Sequence, residues 1–113
     1  MNDLFEKMRE YVKMDEEITT AEFVDYFQKV IDALQTQFDD MDQESLLKAK
    51  LITSILAGNS ASRKARKDAD SKKFKKMNDK SVFWANAIEF RLKHMGLTPA
   101  EIEEKTNEME AAM

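Results

Sequence analysis

Residues 20–41 read TAEFVDYFQKVIDALQTQFDDM, and their apolar spacing decides the fold class. Phe23, Phe27, Val30, Ile31, Leu34, Phe38 and Met41 recur at intervals of three and four. On a helix this spacing makes one wide stripe about five turns long, the pattern of a bundle helix with its polar side in water. The spacing predicts a helix from Thr20 to about Asp40.

The residues just upstream explain why the helix starts there. In ITTAEF (18–23), Thr19 takes the N-cap position and Glu22 stands three residues later, while Ile18 and Phe23 flank them as a hydrophobic staple. LTPAEI (97–102) uses the same grammar with Thr98, Glu101, Leu97 and Ile102. It adds Pro99 at the first helical position, where a missing N–H costs nothing. The segments that follow share no further pattern, so the two hexapeptides are helix starts and not a repeat. Before the second, Gly96 fits the left-handed residue of a Schellman ending, with Leu97 folding back on Leu92. Lys93 and His94 in that last turn complement the helix dipole.

Working outward, a first helix is expected over about 3–14, with Leu4, Phe5, Met8, Tyr11 and Val12 on its apolar side. Asp42 looks like the cap of a third helix over 43–57, buried through Leu47, Leu51 and Ile55 and ended by Gly58-Asn59-Ser60, with continuation past them as a bent helix the alternative. Val82 to Met95 is the most apolar part of the chain, with Val82, Phe83, Trp84 and Phe90 leaving a narrow polar face. It is expected to form a central helix that the others surround, with Trp84 in the core. A thin stripe of Ile102, Thr106, Met109 and Met113 makes the last segment, 99–112, a peripheral helix or a contact with a second subunit.

Composition agrees with an all-α chain. There are 113 residues, enough for one domain with one core, and only two glycines and one proline to make turns. Ala, Leu, Met, Glu, Lys and Gln are strong helix formers. The expected architecture is a compact all-α bundle of four to five helices over about 3–14, 20–40, 43–57, 72–95 and 99–112, forming a single domain. No cysteine is present, which removes disulfides and thiolate metal sites. The N-terminus lacks the basic and apolar regions of a signal peptide, and the apolar runs are too short to span a membrane. The expectation is a cytoplasmic protein without membrane contact.

The net charge of −4 conceals a segregation. Residues 1–44 carry thirteen acids and four bases, whereas residues 45–80 carry three acids and eleven bases. Half of the eighteen lysines and arginines fall within 62–80, SRKARKDADSKKFKKMNDK. At roughly 100° per residue, Phe74, Met77, Ser81, Ala85, Ile88, Leu92 and Met95 share one helix face. Lys72, Lys73, Lys75, Lys76 and Lys80 then become the solvated side of a core helix that Phe74 and Met77 anchor. Asp70 or Ser71 is the candidate cap of that helix. Upstream the phase is lost. Ala61, Ala65 and Ala69 make a small-residue stripe that buries little area. Arg63, Lys64, Arg66 and Lys67 are therefore assigned to a short separate helix or an exposed connection, unexplained by packing.

Charge asymmetry of this kind points to an electrostatic partner, either another molecule or the other half of the same chain. The functional expectation is a non-enzymatic binding or assembly module, an adaptor, inhibitor or oligomeric subunit, whose partner is a protein or a second copy. The alternative is a nucleic-acid-binding accessory protein that neutralises phosphates with Arg63, Lys64, Arg66, Lys67, Lys72, Lys73, Lys75 and Lys76. A helix-turn-helix reading around Gly58 fails, because Asn59, Lys64 and Lys67 fall where apolar residues belong.

Catalysis finds little support. The single histidine, His94, is explained by the helix end, and Glu89 to His94 is the wrong spacing for a di-iron Glu-x-x-His pair. Asp68 and Asp70 evoke a calcium loop, but the turn glycine and terminal glutamate are missing. No cofactor and no small-molecule substrate are expected.

Overall fold

The computed structural model describes residues 1–113. Five helices form, α1 (Asn2–Val12), α2 (Thr20–Gln37), α3 (Gln43–Lys64), α4 (Ser71–His94) and α5 (Pro99–Ala111), with one 3-10 turn, Phe38–Asp40, closing α2. There are no strands, and the all-α bundle read from the apolar periodicity is the observed fold.

The helix starts follow their capping residues. The Thr19 hydroxyl accepts from the Glu22 N–H at 3.1 Å, and Asp42 accepts from the Ser45 N–H at 2.8 Å. At Thr98 the box is complete, since Glu101 also accepts from the Thr98 N–H at 3.1 Å. At Thr19 it is half complete, because the Glu22 carboxylate accepts from the Tyr11 hydroxyl instead. The α4 start differs from expectation: Asp70 precedes the helix without a side-chain capping bond. The α4–α5 corner is the expected Schellman turn. Gly96 has φ +98°, its N–H donates to the Lys93 carbonyl, and the Leu97 N–H donates to the Leu92 carbonyl.

Two expectations are corrected. The third helix does not stop at Ala57 but runs to Lys64, straight through Gly58-Asn59-Ser60. Ser60 is buried and donates back to the Leu56 carbonyl at 2.7 Å. Asn78 of α4 donates to the Ala57 carbonyl at 2.8 Å, and Arg63 beyond is buried. These tertiary anchors outweigh the cost of about 1 kcal/mol for a glycine inside a helix.

Second, the enclosed helix is α3, not α4. Nine residues of α3 are buried, spread around it from Leu46 to Arg63, whereas α4 buries the single stripe Phe74, Met77, Ser81, Ala85, Ile88 and Leu92. That stripe matches the expected phase except for Met95, which is 42% exposed where the chain turns away at Gly96. Val82, Phe83 and Phe90 point outward, and Trp84 is only half-buried at the α2 edge, its ring 5.5 Å from that of Phe38.

α3 and α4 form an antiparallel hairpin across a seam of small residues. Ala49, Thr53 and Ser60 on α3 and Ser81 and Ala85 on α4 are all buried. The buried hydroxyls donate to carbonyls one turn back, so close approach leaves no unpaired donor. α2 runs parallel to α4, its Phe23 ring 5.9 Å from that of Phe74 and its distal Asp39 carbonyl accepting from Arg91 at 2.6 Å. α1 packs across α2 and α3, where Tyr26 donates to the Leu4 carbonyl at 2.6 Å. α5 lies on the α3–α4 pair through Ile102.

The two glycines are expected to respond oppositely to alanine. Gly58 sits in an exposed helix interior, with open space where an alanine methyl would stand. Gly58→Ala should therefore stabilise by about 0.5–1 kcal/mol in urea unfolding. Gly96→Ala should destabilise by about 1 kcal/mol or more, since its left-handed φ strains any Cβ.

Candidate functional site

The eight basic residues singled out from the sequence separate into three environments. Arg63, in the last turn of α3, is buried at 5% exposure. Its guanidinium lies 4.6 Å from the Phe23 ring centre and 5.6 Å from that of Phe74. It donates to the Ile18 carbonyl at 2.7 Å and pairs with Glu17 at 3.1 Å. The α3 extension beyond Gly58 is what carries it there. Arg63 is therefore a structural residue, and the expectation that it is unexplained by packing is corrected for this residue.

Arg66 makes a fork with both oxygens of the same Glu17, one contact at 2.7 Å. The fork holds the Glu17 carboxyl below its ordinary range, with Arg63 adding to the effect. A cleft of about 460 Å³ opens beside these side chains, between the α1–α2 loop and α3. Its two arginines are already matched by Glu17. Lys64 and Lys67 are exposed beside this cluster and form no ion pair, and Lys67 has a positive φ of 54° in the turn after α3.

The lysines of α4 lie elsewhere. Lys75 pairs with Asp79 at 3.3 Å along the helix. Lys72, Lys73, Lys76 and Lys80 form no ion pair, and all four line one groove of about 360 Å³ between α2 and α4. Val24, Phe27 and Met77 give it an apolar floor, and no carboxylate lines it. Four unpaired ammonium groups over an apolar floor suit an anionic ligand that also has an apolar side.

Sequence reasoning missed the continuation of this surface. Phe83 and Phe90 are 63% and 66% exposed on the same outer side of α4. The His94 ring stacks 4.4 Å from that of Phe90, and Phe83 meets the edge of Trp84 at 5.6 Å. The signal was present in the helical phase: nine and sixteen residues beyond Phe74, at roughly 100° each, both rings fall near the side opposite the core. Apolar content alone hid this. The outer face of α4 thus runs from lysines into exposed aromatics.

Comparison with known proteins finds no matching family model, no matching curated protein and no matching solved structure. No helix is long and apolar enough to cross a membrane.

Arg63→Ala should cost about 2–4 kcal/mol in urea unfolding, because it removes a buried stem and leaves the Ile18 carbonyl without its donor. Arg63→Lys should not recover the loss, since a lysine cannot stack flat on Phe23 while bonding Glu17. Arg66→Gln should leave the unfolding midpoint little changed, as the pair is exposed.

The Glu17 cluster also predicts an acid dependence. Its folded carboxyl ionises below its unfolded value, so its stabilisation is complete above the ordinary carboxylate range and is lost as pH falls through the folded value. Thermal melts of the wild type and Glu17→Gln should differ at neutral pH and converge in acid.

Proposed function

We propose that this chain is a non-enzymatic protein-binding module that receives an acidic amphipathic helix of a protein partner on the outer face of α4. The observation that carries this reading is the pairing, along one helix, of four lysines without ion pairs and two phenylalanines more than 60% exposed. Exposed large aromatics on one helix face are characteristic of interaction surfaces, and aromatic anchors dominate binding energy in such contacts. A helix with acids on one flank and small or apolar residues on the other answers both halves of the surface.

Phosphate binding by the same lysines is the second reading, favoured by their clustering. Against it, the two arginines of the basic segment, Arg63 and Arg66, whose forked guanidinium groups suit phosphate, are both committed to Glu17. Within that segment lysines alone remain to hold a phosphate backbone.

Trp84 is the only tryptophan and touches Phe83, so its fluorescence reports on this face. A synthetic helical peptide with glutamates at i, i+4 and i+8 and leucines on the adjoining side should shift Trp84 emission saturably. Phe83→Ala with Phe90→Ala should weaken that binding about tenfold or more. Absence of any response to the peptide, or a response only to a mixed-sequence single-stranded oligonucleotide, would overturn the proposal.

A further inference from the structure

We infer that the acidic helix received by α4 is α5 of a second copy of this chain. The inference rests on the reading above and names its partner. Every ion pair in the protein lies outside α5, although that helix carries Glu101, Glu103, Glu104, Glu108 and Glu110 against a single lysine, Lys105. Ile102 turns inward to the bundle, and Glu103, Glu104 and Glu108 are left exposed on the solvent side. The chain therefore presents an unmatched lysine groove and an unmatched glutamate face on different helices. Each supplies what the other lacks.

The spacing fits as well as the charge. Lys76 and Lys80 are one turn apart on α4, as Glu104 and Glu108 are on α5, a rise of about 6 Å in both cases. In a parallel register, Glu104 meets Lys76 and Glu108 meets Lys80. The same register sets Ala111 of the second copy beside Phe83, and the alanine leaves room for the ring. α5 is about 20 Å long and in this register lies against α4 from Ser71 to Phe83, so the helix is covered end to end while Phe90 stands beyond its C-terminal end.

A single docked helix of this length buries much less than the roughly 800 Å² per partner of a stable complex. The association is accordingly weak, with a Kd on the order of 10–100 μM or above, and it depends on salt because the paired groups are exposed. The donor face and the groove are different patches, so one copy's helix fills its neighbour's groove.

Sedimentation velocity on the full chain, from on the order of 10 μM to 1 mM at 50 mM and 500 mM salt, tests the inference. The wild type should associate as concentration rises at low salt and revert to single copies at high salt. Glu103→Gln/Glu104→Gln/Glu108→Gln and Lys72→Gln/Lys73→Gln/Lys76→Gln/Lys80→Gln should each remain single copies while keeping the wild-type circular dichroism. An equimolar mixture of the two variants should associate again, because one keeps the groove and the other keeps the helix. A wild type that stays a single copy at the highest concentration and low salt overturns the second-copy assignment. Association that survives the glutamate substitutions overturns it equally. Neither result touches the peptide titration, which judges the binding face by itself.

Discussion

Arg63 is the contact on which the rest of this structure depends. One buried guanidinium reaches four segments: α3 that carries it, the α1–α2 loop through Ile18 and Glu17, α2 through Phe23, and α4 through Phe74. A lysine at this place would bring a point charge with a large hydration cost, whereas the flat guanidinium bonds in its plane and stacks on its faces. Burial of the charge is tolerable because Glu17 and a carbonyl answer it, and Glu17 keeps half its surface in water. The continuation of α3 past Gly58 is then required, since a helix ending at Ala57 could not deliver Arg63 to this position.

That longer α3 reorganises the bundle. With its small residues set against Ser81 and Ala85, α3 draws α4 close along one face and is itself enclosed by α1, α4 and α5. α4 is left on the periphery with a core on one side only. Its apolar content exceeds what that side can bury, and the surplus, Phe83 and Phe90, stands in solvent. The surface chemistry is thus a by-product of which helix took the centre.

Folding also sorts the charges by type. The arginines of the basic segment are spent on the acidic N-terminal region, while Lys72, Lys73, Lys76 and Lys80 of α4, better hydrated and poorer at planar pairing, remain without ion pairs. Part of the charge segregation along the chain is therefore internal docking. The remainder, the α4 lysines against the α5 glutamates, finds no partner within one copy and supports a role in recognition.

The sequence by itself determined the local features: the starts of α2 and α5 at Thr19 and Thr98, the Gly96 corner, and the buried stripe of α4 from Phe74 to Leu92. These depend on interactions within about one helical turn or on simple periodicity, which the chain displays directly. It also held the phase of Phe83 and Phe90, obscured by their hydrophobicity. Tertiary structure alone decided that α3 runs through Gly58, that α3 and not α4 is enclosed, and that Arg63 and Arg66 belong to Glu17 while Lys72, Lys73, Lys76 and Lys80 stay free. Each of these turns on contacts between residues twenty to fifty positions apart, such as Asn78 with Ala57 and Arg66 with Glu17. Local pattern carries no record of such pairings, because their energy exists only once the helices have met.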